Sequence, residues 1–319
     1  MGRKGEILTV VSILFFLYAP LLMYLSLAGE YISKFAIWIL GTNYGLYTST
    51  KFIVLILTIL LYPLCCVKNL SKLGIVSVVG LIFLLYVVGL TCYDLAVNSV
   101  SPTVKLYNWT FAIFGCFAKV LMSYMSHINL PDLCQGLQIK SAGRSAALVS
   151  VTSIVATILY LVFCICAYLL FGELVAKDVL ETRYPLPALY HVGRIAVALV
   201  NFFSIPLLTR PTRFAIDWLY VEMFQKSARK SGSADQRAFF EIFLIFLAVT
   251  PIAMYFVQSV AVVLEYSGSV FGSLLIFILP SGIYLNLPSG KKTWEMAVAY
   301  FNVVLVVILM IGGIASQFI

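Results

Sequence analysis

Nine long apolar runs follow one another almost without interruption, at about 7–28, 49–67, 73–92, 108–131, 145–171, 187–209, 238–258, 266–287 and 294–316. A helix needs roughly 20 apolar residues, at ~1.5 Å each, to cross ~30 Å of hydrocarbon. Each run meets that length, and a soluble core has no room for so many. Apolar residues make up 62% of the 319, against ~45–50% in ordinary soluble domains. The expected fold is all-α: a polytopic membrane protein of about nine transmembrane helices, forming a single transmembrane domain over 1–319. The links are too short for a soluble domain. The run Tyr31–Leu40 is too short to span and is expected at the interface or folded back. Arg210–Arg237 is expected to be a basic cytoplasmic connector.

Charge sets the expected orientation. The net charge of +8 is no nucleic-acid signal here, because in such a chain the position of Lys and Arg carries the meaning. With alternating spans and a cytoplasmic N-terminus, fourteen of the 21 basic residues fall on the cytoplasmic side, from Arg3 and Lys4 to Lys291 and Lys292. Only Lys34, Lys51, Lys105, Lys177 and Arg183 fall outside, and Lys119 and Arg194 lie within spans. The C-terminus is then expected outside. The first run is of full spanning length and lacks a small-residue cleavage site, so it reads as an uncleaved anchor. Membrane lipids are the expected surroundings.

Few chemistries remain open. Two histidines and seven scattered cysteines suit no zinc site, and no metal or other cofactor is expected. Of the cysteines, Cys92 alone reads as near the outer surface, so no structural disulfide is expected. No phosphate-cradling loop, nucleophile elbow or paired-carboxylate motif occurs, which argues against an enzyme. His127 is the sole candidate base within a span.

Two spans are polar where they should be apolar. The span 108–131 carries Lys119, Ser123, Tyr124, Ser126, His127 and Asn129. A charged Lys near mid-span costs about 2.5–3.5 kcal/mol on insertion scales. Lys119 and His127, about two turns apart, share a face, as a permeation pathway would require. The alternative is a snorkelling Lys119 and a His127 that bonds to a neighbouring helix. The span 187–209 holds Arg194, Asn201, Ser204, Pro206 and Thr209. Pro206 frees the carbonyl of Phe202, which beside Ser204 or Asn201 could meet a small cation or an amine. These polar residues would equally serve as glue between helices. In 266–287, Gly268, Gly272, Gly282 and Pro280 read as a close-packing helix.

Five stretches in order carry a resemblance: Tyr62-Pro63-Leu64 with Lys72-Leu73-Gly74; Tyr124-Met125-Ser126-His127 with Pro131; and Tyr168-Leu169-Leu170-Phe171-Gly172-Glu173. Arg194 with Ser204-Ile205-Pro206-Leu207 is the fourth, and Gly272 with Phe277-Ile278-Leu279-Pro280 and Tyr284-Leu285 the fifth. Together they resemble the fourth, sixth, seventh, eighth and tenth helices of the amino acid/auxin permease family, a branch of the LeuT-like transporters. The resemblance implies a LeuT-like inverted-repeat bundle that begins at the family's third helix. Its first repeat is then cut short and its second intact, and Gly136 stands where many relatives have Glu.

The resemblance further implies a permease for an amino acid substrate, working by secondary symport with a proton or sodium ion at the plasma membrane or an endolysosomal membrane. Ser123, Tyr124, Ser126 and His127 would line the substrate site. Ser204 and Asn201 would face the same cavity, with a sodium site near Ser204, and Tyr24 would join from what corresponds to the third helix. The shortened first repeat leaves a second reading: a transporter-like protein that senses amino acids or serves as a partner subunit. No nucleic-acid partner is implied, and the oligomeric state is left open.

Overall fold

The computed structural model describes residues 3–41, 45–66, 73–105, 107, 110, 113–124, 130, 134, 136–137, 141–175, 178–181, 188–224, 234–255, 266–287 and 293–315. Its helices are α1 Arg3–Leu40, α2 Thr50–Cys65, α3 Leu73–Val97, α4 Ile113–Ser123, α5 Ala142–Phe171, α6 Ala188–Phe224, α7 Ala234–Tyr255, α8 Gly268–Leu285 and α9 Thr293–Ala315. Among the described residues, seven are long and apolar enough to cross a membrane. The other two, α2 and α4, are apolar but only 16 and 11 residues long, short of ~30 Å at ~1.5 Å per residue. The protein is an all-α polytopic membrane protein.

Helix is the form that satisfies every backbone group where lipid offers no partner. Several hydroxyls inside the spans are satisfied by the helix backbone. Ser12, Thr91, Ser204, Thr209 and Thr212 each donate to the carbonyl four residues earlier, at 2.7–2.9 Å. The helix α6 runs on through Pro206 and Pro211.

Two expectations are corrected. Tyr31–Leu40 is neither a separate interfacial piece nor folded back: it continues α1 as one helix of 38 residues. The polar stretch after residue 209 is not all connector either, because α6 stays helical to Phe224.

The pair α1 and α6, 38 and 37 residues long, forms the antiparallel spine. At one end the Arg3 guanidinium pairs with Glu222. At the other, Trp38 stacks on His191 with ring centroids 4.6 Å apart. The main core lies along this spine. Leu21, Leu25 and Ala28 of α1 pack with Val54 and Leu61 of α2, Ala198 and Ile205 of α6, and Ile242 and Val249 of α7. Outward faces are apolar as well. Val151, Ile154, Ile158, Leu161 and Ile165 of α5 form an exposed stripe at helical spacing, suited to lipid and far too large for water.

A second group gathers around α8, whose backbone widens into π-helical turns over Gly268–Gly272 and Leu274–Ile278. Phe271 there stacks on Phe15 of α1 at 5.3 Å. The helix α9 approaches closely through glycine. A Cβ at Gly312 would lie 2.6 Å from the Phe114 ring of α4, and one at Gly313 would lie 2.5 Å from Ser269 Oγ. Gly312→Val should therefore lower stability by roughly 1–3 kcal/mol through overpacking. Thermal melting in detergent checks this, and an unchanged midpoint would mean that Phe114 swings aside freely.

Candidate functional site

Ser123 and Tyr124, at and just past the end of α4, meet α5 through two hydrogen bonds and a ring contact. The Tyr124 hydroxyl donates to Thr157 Oγ1 at 2.8 Å, and Thr157 passes the chain on to the Ser153 carbonyl at 2.7 Å. One turn along α5, the Tyr160 hydroxyl donates to the Ser123 carbonyl at 3.3 Å. The Tyr124 and Tyr160 rings meet edge to face, centroids 5.5 Å apart. Two expected site residues, Ser123 and Tyr124, thus meet Thr157 and Tyr160 in one aromatic and hydroxyl-rich patch between α4 and α5. Tyr24 of α1 packs against the main core.

This patch carries hydroxyl donors and acceptors and two electron-rich ring faces. Such groups hydrogen-bond a carboxylate and attract an ammonium over a ring. Ser126 and His127 lie outside the described residues. Thr157 and Tyr160 were not singled out by sequence; the same helix also carries Ser150, Thr152 and Ser153, so nothing in the sequence set this pair apart.

Ser204 and Asn201 sit elsewhere on α6. Ser204 lines a groove of about 280 Å³ between α3 and α6, walled by Gly80, Leu84, Val200, Phe203 and Leu207, with Ser77 as its other hydroxyl. Neither Tyr24, Ser123 nor Tyr124 borders that groove. Asn201 faces the core instead. It is 6% exposed, beside Ala198 and Ile205, and its Nδ2 has no hydrogen-bond partner among the described residues.

A denser polar knot lies at the start of α6. Arg194 is 1% exposed, the largest fully buried side chain, and its Nη2 donates to the Leu180 carbonyl at 3.0 Å. Leu180 belongs to a short 3-10 turn, Val179–Glu181. Asp178 caps that turn by accepting from the Leu180 N–H at 3.0 Å, and it accepts from the Tyr31 hydroxyl at 2.6 Å. Tyr190 donates to Asp94 at 2.6 Å, and Asn98 donates to the same carboxylate at 2.7 Å. The arrangement ties the segment after α5 onto α1 and α6, and α6 onto α3. An arginine inside an apolar span was its only signal in the sequence.

At the same end the segment after α3 is clasped to α5. The Ser101 N–H donates to the Leu169 carbonyl at 2.9 Å. The Lys105 N–H donates to the Tyr168 hydroxyl at 3.0 Å, which in turn donates to the Lys105 carbonyl at 2.9 Å. Gly172 closes α5 with φ +57, and a Cβ there would lie 2.2 Å from Thr103 Oγ1, so only glycine fits without strain. Lys105 Nζ pairs with Glu173 at 2.5 Å. The hydrogen bond, then the charge of Glu173, raises the Lys105 pKa above its ordinary 10.5. A raised lysine stabilises fully below its unfolded pKa, and the gain is lost as pH rises through the folded value. Lys105→Gln should therefore change stability by the same small amount at any pH between about 5 and 9. Melting curves across that range test it; a difference that grows towards pH 5 would contradict the pairing.

Comparison with known proteins gives these elements a context. The family described as transmembrane amino acid transporter protein matches residues 1–319. The vesicular inhibitory amino acid transporter of Rattus norvegicus is 28% identical over 292 residues, covering 85% of this chain and 51% of the relative. The vacuolar amino acid transporter 5 of Schizosaccharomyces pombe is 24% identical, covering 82% and 61%. The putative sodium-coupled neutral amino acid transporter 11 of Danio rerio is 25% identical, covering 98% and 69%. The chain thus spans between about half and two thirds of the length of these relatives. A match from the first residue to the last, on an all-helical chain of membrane spans, settles the family: the chain belongs to the transmembrane amino acid transporter family.

Proposed function

We propose that this chain, as one transmembrane domain over 1–319, moves an amino acid across a membrane by secondary coupling to a proton or sodium gradient. The family match over the whole chain carries the reading. The relatives named vesicular and vacuolar support an endolysosomal membrane, and the relative named sodium-coupled supports sodium as the coupling ion. The substrate site centres on Tyr24, Ser123, Tyr124, Thr157 and Tyr160, with Ser126 and His127 following directly in sequence. Alternating access comes from one group of helices rocking against another around that site, within a LeuT-like bundle. Ser204 and Asn201 on α6 supply polar groups for a coupling ion.

The test is uptake of radiolabelled amino acids into proteoliposomes holding the chain as it stands, under imposed proton or sodium gradients. Saturable, gradient-driven uptake supports transport. Binding without uptake supports the second reading, an amino acid sensor or partner subunit.

Tyr124→Phe removes one hydroxyl that bonds to Thr157. It should raise KM for uptake several-fold at unchanged surface expression. Thr157→Val should do the same, and the double variant should be no worse than either alone, as for two partners in one interaction. Additive losses would separate the two residues.

A further inference from the structure

Cys92 and Cys166 lie 74 positions apart in sequence, yet their sulfurs face each other at 3.6 Å. Each is five residues before the end of its helix, Cys92 before Val97 in α3 and Cys166 before Phe171 in α5. At ~1.5 Å per residue both sit about 7–8 Å below the helix ends. Those ends are held in register by the Ser101, Tyr168 and Lys105 hydrogen bonds, so the two sulfurs meet on a fixed frame. Both side chains are partly exposed.

We propose that Cys92 and Cys166 form an oxidisable dithiol that closes to a disulfide and locks α3 to α5. The sulfurs need to approach by about 1.5 Å to reach bonding distance, within the reach of side-chain rotation. The orientation expected from the charge distribution puts this end of both helices on the non-cytoplasmic side, where disulfides form and persist. The oxidant is a low-molecular-weight disulfide such as oxidised glutathione. One cysteine loses its proton and its thiolate attacks that disulfide, forming a mixed disulfide and expelling one glutathione thiolate. The second cysteine loses its proton, attacks the protein-bound sulfur and expels the second glutathione. One S–S bond is exchanged for another, the two protons pass to the departing thiolates, and the protein's two thiols are oxidised as glutathione is reduced.

The test counts thiols. Membranes bearing the full chain are treated with oxidised glutathione, washed, denatured and labelled with a maleimide polymer that retards each adduct on a gel. The chain has seven cysteines; the expected result is seven adducts after dithiothreitol and five after oxidation. Cys92→Ser and Cys166→Ser should each give six adducts after dithiothreitol and, after oxidation, no cysteine-to-cysteine link: either six adducts, or five with one glutathione retained on the cysteine left without its resolving partner. Peptide mass spectrometry should find one linked species joining the segments that carry Cys92 and Cys166. Seven adducts after oxidation would overturn the proposal. So would six adducts with glutathione retained, or a loss of two thiols that persists in Cys92→Ser.

Discussion

Arg194→Ala destabilises the protein by on the order of 3 kcal/mol. The side chain is 1% exposed, so its removal leaves a void beside α1 that the packed helices fill only in part. It also leaves the Leu180 carbonyl without the donor now 3.0 Å away, in surroundings that include the buried Leu180 side chain itself. Arg194→Lys should recover only part of the loss. A lysine carries one compact ammonium in place of a planar fork of five donors, and it loses more on burial. The expected order of melting temperature in detergent is wild type, then Lys, then Ala. Equal melting of all three would mean that the arginine is solvated and that the 178–181 segment is held by Tyr31 and Asp178 alone.

What the sequence concealed follows from the same kind of pairing. Glu30 and Lys34 interrupt the first apolar run, and the spanning segment was therefore expected to end near residue 28. In the fold these two charges pair with each other across one helical turn at 2.7 Å, so α1 carries both and continues to Leu40. Arg210 and Arg213 likewise read as the start of a connector. Both guanidiniums lie over the Phe214 ring, at 5.8 and 5.0 Å, and Arg213 comes within 3.8 Å of Glu241, so α6 carries its charges past the apolar run. Apolar periodicity predicts where a helix crosses lipid; local pairing decides how far it goes on.

The candidate site was legible to the extent that its residues share one helix. Ser123 and Tyr124 stood out as neighbours in an unusually polar span. Their partners Thr157 and Tyr160 are 33 and 37 residues away, and no spacing rule connects them. Arg194 was visible as an ionisable group in a span, but its partner is a backbone carbonyl, which has no residue signature. Cys92 was placed near an outer surface by its position, whereas Cys166 was taken as interior, although each is five residues from the end of its helix. His127 and Ser126 lie outside the described residues, and sequence adjacency alone joins them to Tyr124.

Asn201→Leu should raise stability by about 1 kcal/mol and reduce amino acid uptake at least tenfold. A buried amide without a partner costs about 1–3 kcal/mol, and Asn201 Nδ2 is such a group among the described residues. Leucine has similar volume, no polar atom, and would join Ala198 and Ile205 on a face already packed into the core. A position under no demand beyond packing would favour leucine, so the costly amide requires a reason. A transported amino acid would supply one, because its carboxylate presents to the Nδ2 donor the acceptor that the resting protein withholds. Ser26 on α1 is equally buried and its Oγ equally unpaired among the described residues, a second polar group on the helix that packs along α6. Melting and uptake are measured on the same preparation. Higher stability with uptake lost places Asn201 in the transport path. Higher stability with uptake intact confines the path to the Tyr124 and Tyr160 patch, and lower stability means that the amide has a structural partner after all.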